Sequence, residues 1–189
     1  MTPLVIGHAG PSIQLSTLPT LSKCGPLTRC CQWNRCALYN SRVDRDALIS
    51  RFRGGYDAVE RAVEGLTSDD LDRPGHDDGW TPRQVVHHLA DSEATAYVRL
   101  RKLVAEDEAI IQAYDEPEFA RRLHYDRPIG SSLAVLKAVR AASLELLESL
   151  SPDEWTRQGT HAESGPYSVD DWLRIYAAHS HDHANQIVE

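Results

Sequence analysis

The stretch Tyr176-Ala-Ala-His179-Ser-His181-Asp-His183 carries three of the nine histidines of this 189-residue chain. His179 and His183 are four residues apart, so on an α-helix they lie one above the other on one face. Two imidazoles spaced in this way can ligate one metal ion. Carboxylates or carbonyls could satisfy the same rings. Taken alone, the stretch leaves both a metal site and a hydrogen-bonded polar core open. A buried imidazole without any partner costs about 1–3 kcal/mol, so one of the two is required.

The neighbouring residues set the direction of the pair. Trp172, Ile175, Tyr176 and Ile187 make an apolar stripe at helical spacing, and His179 and His183 fall within it. His181 lies about 200° round the helix, with Arg174 and Ala177, and is expected to face water. A second helix opens at Thr81, a good N-cap, with Pro82 at its first position. Val85, Leu89, Ala96, Leu100 and Leu103 form its apolar face. His88 shares that face, and His87 is turned about 100° away.

Three core-facing histidines on two helices, His88, His179 and His183, match the pattern of a catalytic metal site, three protein ligands and one open position. A structural site would more often include cysteine, and the helical region has none. The residue after His179 is Ser180, where a zincin has its glutamate base. Asp91 and Glu93, close after His88, are the candidate catalytic residues, either as bases or as partners of a histidine N–H. Asp182 is expected to be a solvated charge.

The elements that must hold these residues are helical. Leu48, Phe52, Tyr56, Val59, Val63 and Leu66 recur at three and four residues, weakened by Gly54-Gly55. Thr67-Ser68-Asp69-Asp70 is a stop and a fresh cap, and Asp77-Asp78-Gly79 a turn. The His88 helix should fade near Glu106. Residues 107–130, with Pro117 and Pro128, are expected to be an irregular connection. A third long helix is predicted over 131–150, followed by the capping box of Ser151 and Glu154. Residues 157–167 are predicted to be a loop, and Ser168 caps the last helix. No segment is predicted as a strand. The fold class is therefore all-α, a four-helix bundle with an irregular N-terminal extension, and bundles build metal sites from facing helices.

Composition sets the boundary of that extension. Residues 1–43 hold Lys23, Arg29, Arg35 and Arg42 but no acid, so all 28 acidic residues follow Val43. All four cysteines, Cys24, Cys30, Cys31 and Cys36, and four of the ten prolines lie there as well. The cysteines lack the paired spacing of a zinc ribbon. The expected organisation is a poorly ordered extension over 1–43 and a metal-binding bundle over 44–189. The net charge of −8 argues against nucleic acid as a partner. No apolar run is long enough for a membrane span, and no secretory signal is visible, so a cytoplasmic location is expected.

Gly79-Trp80-Thr-Pro-Arg-Gln84-Val-Val-His87-His88-Leu-Ala-Asp91-Ser92 and the Tyr176–His183 stretch, in this order and spacing, resemble the DinB superfamily. Within it they are similar to the metal-dependent hydrolases of the YfiT type. The loop His161-Ala-Glu163-Ser-Gly165 is similar as well, and the resemblance runs from about Asp44 onward. It implies a four-helix bundle holding a divalent metal ion, zinc or nickel, on His88, His179 and His183. The last helix runs only six residues past His183, shorter than the resemblance implies, and is expected to hold its two histidines less firmly.

Three functions are compatible with these residues. The first is a metal-dependent hydrolase acting on a small-molecule substrate. The second is a thiol S-transferase of the bacillithiol or mycothiol type, in which the metal favours the thiolate of a low-molecular-weight thiol. Arg99, Arg101 and Arg121 are candidates to bind the carboxylates of such a thiol. The third is a non-enzymatic metal-binding protein. A homodimer is compatible with each. His161 and Glu163 are candidates for a pocket rim, Trp80 reads as a core anchor, and His8, His76 and His124 as surface residues.

Overall fold

A computed structural model describes residues 45–75 and 79–189. The expectations for residues 1–43, His76 and the start of the turn before Gly79 lie outside these residues.

Four long helices form the bundle. Helix α1 covers residues 45–63 with a single break at Gly54, its second part being Gly55–Val63. The short helix α2, Ser68–Leu71, follows behind a capping box on Thr67 and Asp70. Helix α3 is Pro82–Ala105, capped by Thr81 and Gln84 with proline at its first position. Helix α5 is Gly130–Ser149, and α6 is Val169–Val188, capped by Ser168 and Asp171. Helix α3 packs against α5 and α6, and α1 lies along α6. The pairing of Trp172 with Ala96 at one end, and of Ile187 with Val85 in one apolar cluster at the other, makes α3 and α6 antiparallel.

The connections hold more structure than their sequence suggests. Residues 107–130 contain strand β1, Ile110–Ile111, and helix α4, Glu116–Arg122, capped by Asp115. The predicted loop 157–167 is mostly a hairpin, β2 Gln158–His161 and β3 Gly165–Ser168. Strand β1 joins β2 in parallel, with Ile110 opposite Thr160, and β2 joins β3 antiparallel. The expectation of no strand is thus corrected. These strands are too short, and too poor in alternating apolar residues, to register as periodicity. Gly159 permits the parallel approach, because a Cβ there would run into the Ala109 carbonyl.

The bundle core comes in two apolar clusters. One contains Phe52, Ala96, Leu100, Leu147, Trp172 and Tyr176, and the hairpin's Tyr167 closes on it. The other contains Val59, Val85, Leu89, Leu136, Ala184 and Ile187. Between them each long helix contributes a small or polar residue. These are Gly55 on α1, Ser92 and Glu93 on α3, Arg140 and Ser143 on α5, and Ser180 on α6, all buried. A polar layer therefore crosses the bundle at mid-height, and the histidines sit in it.

Candidate metal centre

Helix α3 brings His88 to this layer, and α6 brings His179 and His183, stacked one turn apart. His88 is 2% exposed and the other two are partly buried. The Nε2 atoms of His88 and His179 are 3.3 Å apart, and one ligand atom from each of the three residues lies within 4.8 Å of the others. Two nitrogens sharing a tetrahedral ion at about 2.0–2.1 Å each would sit about 3.3–3.4 Å apart. The donor set therefore fits a metal ion.

Each imidazole has a side-chain oxygen near its Nδ1. His183 Nδ1 donates to Gln186 Oε1 at 2.7 Å, which leaves Nε2 with the free lone pair. His179 Nδ1 has Glu93 Oε1 at 3.5 Å and no closer partner. His88 Nδ1 has Glu116 Oε1 at 3.9 Å. The His183–Gln186 hydrogen bond fixes that ring's orientation and raises the basicity of its inner nitrogen. Burial, with help from the neighbouring imidazoles His183 and His179, pushes His88 down to about 3. Burial and His179 push His183 down to about 4, with Gln186 opposing. Both rings are neutral at neutral pH, the form a metal ion requires.

The other sequence candidates separate cleanly. Glu93 is 2% exposed and forms an ion pair with Arg140, which is 4% exposed. Ser180 Oγ donates to the same carboxylate at 3.2 Å, and Arg140 also donates to Ser180 Oγ and to the Phe52 carbonyl. Glu93 is therefore a locked anion behind His179. Asp91 accepts from the Tyr125 hydroxyl at 2.7 Å. Arg101 stacks on Tyr97 and donates to Ala142 O on α5, and Arg121 pairs with Glu118 at the surface. Arg99 alone of the three arginines reaches the histidine side, donating to the Tyr176 hydroxyl at 3.3 Å. His161 is half-buried and accepts from the Glu163 and Ser164 amides, while Glu163 itself is exposed. Trp80 packs edge-on to His88 with ring centres 4.8 Å apart.

Three facing expectations, for Ile175, Ala177 and His181, need correction. Ile175 is 50% exposed and Ala177 fully buried, so the core side of α6 is rotated toward Leu173, Ala177 and Ser180. The histidine pair lies at the edge of that side, where a pocket can open. His181 is half-buried, its Nε2 donating to Arg51 O on α1 at 2.9 Å. His87 is fully buried on the opposite flank of α3, where Nε2 donates to Arg127 O and Nδ1 accepts from Ser132 Oγ. Gln186, three residues after His183, accepts a hydrogen bond from that ring.

Glu116 was not visible in the sequence reading. It opens α4, inside the stretch expected to be irregular, and its side chain is 48% exposed. Desolvation raises its carboxyl above the usual range, and His179 partly offsets this. The signal that could have found it is Asp115-Glu116-Pro117, an N-cap followed by a proline early in a helix.

A four-helix bundle with three inward imidazoles on two antiparallel helices defines a class of candidate metalloproteins. Within that class the chain belongs to the DinB superfamily, whose model matches residues 51–187. It is 39% identical over 129 residues to an Oceanobacillus iheyensis protein named "Putative metal-dependent hydrolase", covering 68% of this chain and 75% of the relative. It is 35% identical over 134 residues to YfiT of Bacillus subtilis, which bears the same description, with 69% and 75% covered. The solved structure of that protein has the same bundle, with a TM-score of 0.71 at 32% identity over 76% of this chain and 83% of the other. A mycothiol-dependent maleylpyruvate isomerase shares the fold, with a TM-score of 0.62 at 13% identity over 76% of this chain and 60% of the other. Among the described residues no helix is long and apolar enough to cross a membrane.

Proposed function

We propose that residues 44–189 form a metal-dependent hydrolase in which His88, His179 and His183 hold one divalent ion, zinc or nickel. The observation that carries the reading is the convergence of the three imidazoles, one ligand atom from each within 4.8 Å of the others. When bound, such an ion acidifies water and polarises a carbonyl. The protein residues supply the rest. Glu93, held by Arg140 and Ser180, keeps the His179 ring oriented from behind. Gln186 does the same for His183. Glu116, half-exposed beside His88, takes the proton from the nucleophile at a carboxylate oxygen and returns it to the leaving group. Desolvation raises its proton affinity above that of a free carboxylate, with His179 opposing. Trp80 and Tyr176 wall the site and limit water.

The test is metal analysis of protein purified without a tag, followed by a panel of ester and amide substrates. Hydrolysis should vanish on chelation and return with a divalent ion. Glu116→Gln should keep the metal and lose about 10²–10⁴ in kcat. Turnover that persists in protein demonstrated to be metal-free would contradict the reading. A thiol S-transferase would use the same ligands, and one observation favours keeping it as a second reading. Arg99 lies beside Tyr176, where the carboxylate of a thiol cofactor would need a cation.

A further inference from the structure

Arg99 sits three helical turns beyond His88 on α3 and is partly buried. Its Nη1 donates to the Tyr176 hydroxyl at 3.3 Å and its Nη2 to the Gln112 carbonyl at 2.6 Å. Its Nε is buried and has no hydrogen-bond partner. Among the described residues no carboxylate lies within 4 Å of this guanidinium, and Arg140, the other arginine with a buried, unpartnered Nε, has its carboxylate in Glu93. A partly buried guanidinium bonded only to a phenol and a carbonyl, with its Nε unpartnered, has unused capacity for an anion.

Its surroundings point the same way. The Tyr114 ring centre is 5.9 Å from Arg99 Cζ. The Tyr176 ring, which touches Arg99 at its hydroxyl, is 5.7 Å from the His179 ring. One aromatic ring thus separates the cation from the histidine cluster. The positive charge of Arg99 is felt by Tyr114, Tyr167, Tyr176 and His161, holding each below where burial alone would put it. These residues come from β1's flank, the hairpin and α6, so the structured connections and the bundle together surround Arg99.

We propose that Arg99 is the anchor for a carboxylate on the substrate or co-substrate, with the reacting end directed at the three histidines. The inference rests on the metal reading for its geometry of use and names the substrate class that reading leaves open. The molecule would carry a carboxylate a few bonds from its thiol, ester or amide. A bidentate carboxylate would engage the Arg99 fork, and Tyr114 and Tyr176 would flank its carbon chain.

The test uses the full chain loaded with cobalt, whose absorption reports thiolate binding. The probes are 3-mercaptopropionate and 4-mercaptobutyrate against neutral 2-mercaptoethanol. The carboxylated thiols should bind about 10- to 100-fold more tightly, the strength of a charge-assisted pair. Arg99→Gln should erase that preference while leaving 2-mercaptoethanol binding unchanged, and Arg99→Lys should keep part of it. Equal binding of charged and neutral thiols by the wild type would overturn the proposal, as would an undiminished preference in Arg99→Gln. A second arm uses metal-free wild-type protein and succinate in thermal melts, with sodium chloride at matched ionic strength as control. Stabilisation by succinate alone supports the Arg99 site even if cobalt fails to bind, an outcome that would count against the metal reading only. No stabilisation by succinate over chloride counts against Arg99 independently of the metal.

Discussion

The most exacting residue in the bundle is Arg140. It is 4% exposed, pairs with a 2% exposed Glu93, and donates to Ser180 and to the Phe52 carbonyl. Burial pulls its guanidinium down from the usual range and Glu93 pulls it back up. Removing one partner of such a pair leaves a charge buried without its counterion, at a cost of about 3–5 kcal/mol. Arg140→Met should therefore destabilise the metal-free protein by about that amount in urea unfolding, although methionine fits an apolar core well. It should also weaken metal binding, because Glu93 would be free to turn from His179. A change under about 1 kcal/mol would mean that the pair contributes little to the fold. None of this could be read from the sequence. Glu93 was legible as a neighbour of the histidine on α3, yet its partner stands 47 residues away on α5. Arg140 had no motif to mark it.

At the scale of elements, the two glycines of α1 look alike in sequence and differ in the fold. Gly54 has a φ of −76° and room for a Cβ at ordinary contact distances. Gly54→Ala should stabilise by about 0.5–1 kcal/mol, the usual helix preference. Gly55 lies under the Arg140 guanidinium and Ser180, and a Cβ there would overlap the guanidinium and crowd Ser180. Gly55→Ala should reverse the sign and cost about 1–3 kcal/mol, since the added methyl displaces Arg140 from Glu93. Thermal melts of the two variants decide this, and equal shifts of the same sign would contradict it. The long helices were legible because their caps and apolar spacing agree. Thr81 with Gln84 and Ser168 with Asp171 form capping boxes at the predicted starts. The hairpin and α4 were not. Their strands are held by pairing with distant backbone, such as the Thr160 amide on the Ala109 carbonyl, and local periodicity carries no trace of that.

At the scale of the whole molecule, the polar layer lies between two apolar clusters, which among the described residues draw on 48 to 187. In the sequence, helical apolar periodicity and every acidic residue begin after Val43. We propose that 44–189 folds as one unit. The isolated fragment should melt cooperatively within a few degrees of the full chain. A fragment that aggregates or melts far lower would show that residues 1–43 contribute to the fold.

The central claim is that three particular histidines, and not histidine richness, make the site. The most direct measurement is metal affinity, by competition with a chromophoric chelator, for His87→Ala, His88→Ala, His179→Ala, His181→Ala and His183→Ala. His87 and His181 are informative controls because both are hydrogen-bonded in the fold, to Arg127 and Ser132 and to Arg51. Their loss should lower stability and leave affinity within about 10- to 100-fold of wild type, the range of indirect effects. Loss of His88, His179 or His183 should weaken binding by several orders of magnitude. If His181→Ala or His87→Ala proves as damaging to affinity as His183→Ala, the three-histidine centre is contradicted.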